Sequence, residues 1–293
     1  MLTTSLKKGS SIKAFVALVI FASASYVSVR SIHAATPFTV LDNTAYADVT
    51  IGAPAIKTNY VPARECNPIT WNATTNTAVM PTQAQWDNLV NANDATSSPT
   101  STGYLVLDCE KLFFTGSATT IANRLAILKQ LQEWTVAIRP NRILGWYGLV
   151  NASNISTADP SGAYSAIAQL MDLNGGKTAY FPSAYMNVNG TDSLTGVNWA
   201  TQLNTNIASA EKADSLSATS PHPVFPYIWP QYYNSVTTLI SGSEWTSILN
   251  TIYGTAAKGV IIWGGQNSAV EYNSANDGNG AWVTATQTFM SGL

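Results

Sequence analysis

The segment Gly103-Tyr104-Leu105-Val106-Leu107-Asp108-Cys109-Glu110 joins an apolar run to two acidic residues. An uninterrupted apolar run of this length is typical of a strand that is buried on both faces, as in parallel sheets. Side chains two positions apart on a strand point to the same side of the sheet. If the strand extends through Glu110, the Asp108 and Glu110 side chains therefore project together from its carboxyl end.

Short apolar runs of this kind recur along the chain, and helix-like stretches separate most of them. Strands are predicted over residues 38–41, 55–60, 103–108, 142–147, 177–181, 224–228 and 259–263. Helices are predicted over residues 82–91, 119–137, 161–173, 199–213, 243–253 and 280–290. The alternation is typical of a parallel sheet covered by helices. It favours an α/β fold, a distorted TIM-like (β/α) barrel of seven strands, over an open doubly wound sheet.

The N-terminus has the pattern of an export signal. Lysines precede an apolar run over residues 14–24, and small residues follow through Ala35. The sequence therefore predicts a signal peptide over residues 1–35, a single domain over residues 36–293, and a secreted, periplasmic or cell-surface location. An uncleaved membrane anchor is the alternative interpretation, although Arg30 interrupts the apolar run before it reaches the roughly 20 residues of a membrane span.

The composition excludes several kinds of partner. Charged residues make up 10% of the chain, and the formal net charge is -2. No basic stripe is visible, so we expect no nucleic-acid partner, and a polyanionic substrate would also need clustered lysines or arginines. Two cysteines and two histidines do not supply a metal-binding cluster, so neither a metal nor a cofactor is predicted. The sequence does not indicate an oligomeric state.

Cys66 and Cys109 are the two cysteines of the chain. In an exported protein they can form a disulfide bond. Two free thiols are the alternative, because Cys109 lies on the predicted buried strand. The sequence leaves both possibilities open, since the distance between the two Cα atoms decides between them.

The close spacing of Asp108 and Glu110 is itself informative. Two neighbouring carboxyl groups resist double ionisation, so one of them can keep a proton near neutral pH and act as a general acid. The alternative is structural, with Asp108 capping the next turn and Glu110 solvated.

Aromatic and amide residues follow the later predicted strands. They lie in the motifs Gly145-Trp146-Tyr147-Gly148, Phe181-Pro182-Ser183-Ala184-Tyr185, Phe225-Pro226-Tyr227-Ile228-Trp229 and Ile261-Ile262-Trp263-Gly264-Gly265-Gln266-Asn267. Aromatic faces stack on sugar rings, whereas hydroxyl and amide groups bind the polar edges of those rings. The motifs therefore predict a glycan-binding cleft, with candidate substrate-binding residues Trp146, Tyr147, Tyr227, Trp229, Trp263 and Asn267.

The order of these motifs, over roughly residues 100–275, resembles that of the hyaluronidase family of glycoside hydrolases. The matching motifs are Asp108-Cys109-Glu110, Gly145-Trp146-Tyr147, Pro182-Ser183-Ala184-Tyr185, Pro226-Tyr227-Ile228-Trp229 and Ile261-Ile262-Trp263-Gly264. The resemblance implies a distorted (β/α) barrel that cleaves bonds at N-acetylhexosamine residues with retention, with the acetamido oxygen of the substrate as nucleophile. The implied partner is a polysaccharide or oligosaccharide that contains N-acetylhexosamine.

The resemblance also assigns roles to individual residues. Glu110 would protonate the leaving oxygen and then activate water, while Asp108 would orient the acetamido group. Tyr185 would hydrogen-bond to that group, and Tyr227 and Trp263 would shape the subsite around the sugar. The chain lacks the usual cysteine pairs of the family, and a neutral or mixed N-acetylhexosamine polymer is as good a candidate substrate as hyaluronan.

Two other functions fit the same residues. One is a conventional two-carboxylate glycosidase on the same barrel, whose second carboxylate comes from Asp159, Asp192, Glu244 or Glu271. The other is a non-catalytic glycan-binding surface protein in which the acids are structural.

Overall fold

Parallel strands with helices between them form the main framework of the described part of the chain. The computed structural model describes residues 37–46, 49–61, 67–72, 77–94, 100–264 and 280–293. Thr36–Leu293 forms a compact unit. The predicted signal segment, residues 1–35, lies outside the described residues. Among the helices that are described, none is long and apolar enough to cross a membrane.

The described strands are β1 (Thr39–Thr44), β2 (Ile56–Lys57), β3 (Asn59–Val61), β4 (Thr70–Asn72), β5 (Thr77–Val79), β6 (Gly103–Leu107), β7 (Arg142–Trp146), β8 (Tyr227–Ile228), β9 (Gln231–Tyr232), β10 (Ser235–Leu239) and β11 (Gly259–Gly264). The described helices are α1 (Gln83–Asn93), α2 (Ala118–Ile138), α3 (Pro160–Met171), α4 (Trp199–Asp214), α5 (Gly242–Tyr253) and α6 (Ala281–Ser291). Short 3₁₀ turns span Glu110–Leu112, Ala152–Asn154 and Leu173–Gly176.

Parallel pairing connects strands that are distant in sequence. β1 lies between β2 and β11, and β6 lies between β3 and β7. Isolated parallel bridges join Tyr147 to Phe181 and Ser183 to Tyr227, and β8 pairs with β11. Because neighbouring parallel strands run in the same direction, the residues that follow their carboxyl ends lie at the same edge.

The predicted elements agree with the structure to within a few residues, except in three regions. The predicted strand over residues 55–60 is divided into β2, which pairs with β1, and β3, which pairs with β6. The predicted strand over residues 177–181 is present only as isolated bridges, and the predicted strand over residues 224–228 is shortened to β8. Pro182 directly follows the first of these segments, Pro223 precedes the second and Pro226 lies inside it, and proline has no backbone N–H to donate to a ladder. The antiparallel hairpins β4–β5 and β9–β10 are additional to the predicted elements.

Large apolar side chains pack on the inner side of these strands, in a cluster separate from the one beneath the helices. Phe181 and Phe225 stack there with ring centroids 6.4 Å apart. Gly145 and Gly259 have no side chain, and the two rings occupy the space that is left beside them. A Cβ atom at Gly145 would lie 2.1 Å from the carbonyl oxygen of Ala179, and a Cβ atom at Gly259 would lie 2.7 Å from the Phe225 ring.

A buried ion cluster joins α1 to the amino-terminal end of β7. The Asp94 side chain is fully buried, and its two carboxylate oxygens lie 2.7 Å from Arg139 Nε and 2.6 Å from Arg142 Nη2. Arg139 also donates to Asn91 Oδ1 at 2.9 Å. Removal of Asp94 should cost about 3–5 kcal/mol, because it would leave two buried guanidinium groups without a counter-charge.

We predict that Gly145→Ala lowers the free energy of unfolding by about 1–3 kcal/mol, because the added methyl group must displace backbone and a phenylalanine ring. Urea unfolding monitored by circular dichroism measures the change. Gly254→Ala is the matched control, since a Cβ atom at this exposed position meets its nearest neighbour at 3.5 Å. Equal stability of the two variants would contradict the packing argument.

Candidate active site

A cleft of about 480 Å³ lies at the carboxyl-terminal edge of the parallel strands. Its described lining combines two acids with a large aromatic surface. The acids are Asp108 and Glu110, and the aromatic residues are Tyr60, Phe113, Tyr147, Tyr185, Tyr227, Trp229, Tyr233 and Trp263. Polar side chains of Asn151, Asn154, Ser183 and Ser193 complete the lining. Acids beside aromatic faces are the chemical groups that a glycan-cleaving site requires.

Asp108 follows β6 directly and is 2% exposed. Tyr60, on the neighbouring strand β3, donates a hydrogen bond from its hydroxyl to Asp108 Oδ2 at 2.9 Å. Burial, together with the negative charge of Asp108 and this hydrogen bond, raises the pKa of Tyr60 far above its usual range. Tyr60 therefore stays protonated at physiological pH and fixes the orientation of the Asp108 carboxylate.

Glu110 reaches the cleft by a different route from the one predicted. The strand ends at Leu107, one residue before the predicted end, and Glu110 begins a 3₁₀ turn, so the condition that the strand extends through Glu110 is not met. Cys109 between the acids has extended backbone angles, with φ at -147° and ψ at 86°, and its side chain is buried in the core beneath the helices. Because Cys109 keeps this extended backbone, Asp108 and Glu110 still line the same cleft.

Three tyrosines pack against one another beside the acids. The Tyr147 ring lies 5.2 Å from that of Tyr227 and 6.2 Å from that of Tyr185, measured between centroids. Burial raises the pKa of all three hydroxyl groups, and the charge of Asp108 contributes at Tyr147 and Tyr227. These hydroxyl groups therefore act as neutral hydrogen-bond donors.

The Tyr227 hydroxyl is a candidate substrate contact. The residue is 1% exposed, and its hydroxyl lines the cleft without a hydrogen-bond partner among the residues that the structure describes. Most buried polar atoms in folded proteins have such a partner. A polar group on a bound ligand would satisfy this hydroxyl.

Tryptophans form another wall of the cleft. The rings of Trp229 and Trp263 lie 5.1 Å apart at an interplanar angle of 70°, and Trp263 lies 5.9 Å from Tyr185. Tyr233, which is 39% exposed, stacks on Tyr185 at 6.4 Å with an interplanar angle of 16°. The wall therefore offers aromatic surfaces from the inside of the cleft to its mouth.

The predicted site residues Asp108, Glu110, Tyr147, Tyr185, Tyr227, Trp229 and Trp263 all line this cleft. Trp146 does not, and its assignment to substrate binding is corrected. Its indole Nε1 donates to Gln132 Oε1 at 2.8 Å in the core beneath the helices. Adjacent residues on a strand face opposite sides, so Trp146 and Tyr147 cannot both face the cleft.

Two other predicted residues lie outside the described part of the chain. They are Asn267 and Cys66. Cys109 is disulfide-bonded, so it is not the free thiol of the alternative interpretation, and its pairing with Cys66 stays a hypothesis.

Most of the alternative carboxylates point elsewhere. Asp159 caps α3 by accepting a hydrogen bond from Gly162 N at 2.9 Å. Asp192 accepts from the backbone of the turn that follows it, and Glu244 accepts from the Tyr232 hydroxyl. None of these three acids lines the cleft, and Glu271 lies outside the described residues.

Several lining residues were absent from the sequence prediction, among them Tyr60, Phe113, Asn151 and Tyr233. Tyr60 ends a predicted strand, so its place at a strand end was an available signal. Asn151 accepts a hydrogen bond from Ser183 N at 2.9 Å, a contact between loops that no local sequence pattern indicates.

The chain is similar to hyaluronidases in sequence and in fold. A family model described as hyaluronidase matches residues 120–279, more than half of the chain. The crystal structure of bee venom hyaluronidase in complex with a hyaluronic acid tetramer has 15% sequence identity and a TM-score of 0.54, over 87% of this chain and 96% of the bee chain. A monoclinic crystal form of the bee enzyme gives 14% identity and a TM-score of 0.54, over 87% and 97% of the two chains. No protein in a search of curated sequences matches.

The sequence match covers part of the cleft. Residues 120–279 include the aromatic positions Tyr147, Tyr185, Tyr227 and Trp263, but they begin after Glu110. Because the bee structures share 14% and 15% sequence identity with this chain, the similarity to them is one of fold. The roles of the two acids therefore depend on their position in this cleft.

We predict that stability falls as pH rises above about 10. Unfolded tyrosines ionise near pH 10, whereas Tyr185 and Tyr227 stay protonated when they are buried in the folded protein. The contribution of these two tyrosines to the free energy of unfolding is therefore complete below pH 10 and is lost as the pH rises above it. Each such tyrosine should lower the free energy of unfolding by about 1.4 kcal/mol per pH unit between the two pKa values.

Urea unfolding between pH 8 and pH 11 measures this slope. The Tyr185→Phe/Tyr227→Phe double variant should show a shallower decline, because phenylalanine does not ionise. An unchanged slope in the double variant would argue against buried, protonated hydroxyl groups.

Proposed function

Because this chain belongs to the hyaluronidase family of glycoside hydrolases, we propose that it is an exported enzyme that cleaves polysaccharides at N-acetylhexosamine residues with retention. The proposal depends on one observation: Asp108, Glu110 and the tyrosine cluster line the same cleft. The signal pattern over residues 1–35 supports export.

We further infer that the parallel pairings close into a distorted seven-stranded (β/α) barrel. Successive pairs connect β1, residues 56–61, β6, β7, residues 178–183, residues 224–228 and β11, which pairs again with β1. A barrel of this kind would explain the location of the cleft, because active sites of (β/α) barrels lie at the carboxyl ends of the strands.

Glu110 is the proposed general acid and base. It is partly exposed on the cleft and so can reach both the glycosidic oxygen and a water molecule. In the first step the acetamido oxygen of the substrate attacks the anomeric carbon, while Glu110 gives its proton to the leaving oxygen. In the second step Glu110 takes a proton from the water that opens the cyclic intermediate, which restores the acid and retains the anomeric configuration.

Asp108 is the proposed partner of the acetamido group. Its burial and the hydrogen bond from Tyr60 hold the carboxylate in a fixed orientation, in which it can accept the acetamido N–H. That contact would align the acetamido oxygen with the anomeric carbon, a positioning effect that makes the attack effectively intramolecular. The neutral hydroxyl groups of Tyr185 and Tyr227 would bind the acetamido oxygen and the sugar.

The alternative two-carboxylate mechanism has less support. It needs a second carboxylate that comes from a separate strand and lies in the cleft about 5–9 Å from the acid. Asp159, Asp192 and Glu244 serve other structural contacts. Substrate assistance needs no second protein nucleophile, so it fits the described lining better.

We predict that Glu110→Gln lowers kcat/KM on a cleaved N-acetylated polysaccharide by about 10³-fold, because glutamine cannot transfer a proton. Product analysis on a panel of N-acetylated polysaccharides gives the rates, and isothermal calorimetry checks that binding persists. Glu211→Gln, on the exposed face of α4, is the matched control. Full activity of the Glu110 variant would refute the assigned role, and loss of activity after N-deacetylation of the polymer would support substrate assistance.

The charge of the cleft bears on which polymer is preferred. The two charged residues of the described lining are both acidic. Three of the described cations are held by other acids: Arg139 and Arg142 by Asp94, and Lys57 by Asp42 at 3.3 Å. Negative potential in a cleft disfavours a polyanion and is weakened by salt. A neutral N-acetylhexosamine polymer therefore fits the described lining better than hyaluronan, the ligand bound to the bee enzyme.

We predict that carboxyl-reduced hyaluronan is cleaved at least about threefold faster than hyaluronan at low salt. Added salt should bring the two cleavage rates closer together. The two polymers share every linkage and acetamido group and differ in charge. Leu194→Lys adds a cation at the cleft and should raise the cleavage rate of hyaluronan relative to that of the reduced polymer. Leu216→Lys is the matched control, because this leucine is equally exposed but lies away from the cleft, and it should leave the relative rates unchanged. Faster cleavage of hyaluronan would exclude the neutral preference while leaving the catalytic proposal in place.

A further inference from the structure

Gln231 connects the elements that form one wall of the cleft. The residue is 0% exposed and lies at the start of β9. Its Oε1 accepts hydrogen bonds from Tyr46 Oη at 2.6 Å and from Trp229 Nε1 at 3.0 Å. Its Nε2 donates to the carbonyl oxygen of Val236. One buried amide therefore joins the segment after β1, a tryptophan of the cleft and the β9–β10 hairpin.

The hairpin held by Gln231 carries two residues of the cleft lining, Tyr233 and Val236. Tyr233 stacks on Tyr185, and its backbone N–H donates to the carbonyl oxygen of Met186 at 2.9 Å. The position of the hairpin therefore sets the distance between Tyr233 at the mouth and the tyrosine cluster inside.

Tyr46 reaches Gln231 because a glycine lies beneath it. Tyr46 is 8% exposed, and a Cβ atom at Gly264 would lie 2.3 Å from its hydroxyl oxygen. Gly264 follows Trp263 at the end of β11. The glycine of the Trp-Gly pair thus makes room for the ring that anchors the Gln231 amide.

We propose that Gln231 is a positioning residue for substrate binding, which holds Trp229 and the β9–β10 hairpin at the spacing that a bound sugar chain requires. The inference rests on the proposed function, in which this cleft binds N-acetylhexosamine polymers. Only an amide combines an oxygen that accepts two hydrogen bonds with an N–H that donates to a carbonyl group. Glutamate keeps the acceptor and loses the donor, and leucine loses both.

Gln132 provides an internal control. It is 1% exposed, accepts from Trp146 Nε1 at 2.8 Å and donates to the Leu170 carbonyl oxygen at 2.9 Å. Its chemistry therefore parallels that of Gln231, but its contacts lie in the core beneath the helices. A general effect of losing a buried amide should appear equally at both positions.

The test compares Gln231→Leu with Gln132→Leu. Thermal unfolding gives the stability of each variant, and hydrolysis of an N-acetylglucosamine tetramer gives kcat and KM. Tryptophan fluorescence gives the Kd of the same tetramer in the Glu110→Gln background. Gln231→Leu should raise KM and Kd about tenfold, the size expected for loss of a buried polar contact, with kcat within about twofold. Gln132→Leu should lower Tm by a similar amount and leave KM and Kd unchanged.

Equal changes in KM and Kd at both glutamines, or none at Gln231, would overturn the inference. If Gln231→Leu does not fold, Gln231→Glu carries the test, because it keeps the acceptor oxygens and removes the donor to Val236. Failure of the unmodified protein to bind or cleave the tetramer and every polymer of the panel would instead overturn the proposed function, and with it the role of Gln231.

Discussion

The rings of Phe181 and Phe225 fill the inner side of the strands because Gly145 and Gly259 leave that space empty. A strand that carried a side chain at either glycine could not approach its neighbour so closely. The next residues toward the carboxyl ends are the tyrosines, and Phe181 lies 6.4 Å from the Tyr227 ring. The phenylalanine layer therefore forms a rigid base for the tyrosine cluster, and precise placement of hydroxyl groups depends on it.

The two acids of the cleft lie in different environments. Asp108 is buried and bound by a protonated tyrosine, whereas Glu110 lies on a turn with access to solvent. A carboxylate that must hold a substrate group benefits from a fixed environment, and one that exchanges protons needs contact with water. The two environments match the two proposed roles, although the residues are separated in sequence by a single cysteine.

Sequence patterns predicted much of this arrangement because the main strands and helices have strong local signals. The apolar run before Asp108 and the alternation of side chains brought both acids to the cleft, even though the strand is shorter than predicted. Trp146 was misplaced because an aromatic residue at a strand end can face either side, and only the register decides which. Tyr233 and Gln231 depend on a hairpin whose contacts are distant in sequence, so no local pattern indicated them.

The Asp94 cluster lies at the amino-terminal end of β7, away from the cleft. Its carboxylate is shared between Arg139 and Arg142, so loss of Asp94 alone would leave two guanidinium groups side by side in a dry environment without a counter-charge. Loss of Asp94 is therefore disfavoured while both arginines are present. Among relatives of this chain the three positions should therefore covary, being retained as a set or replaced together by uncharged side chains.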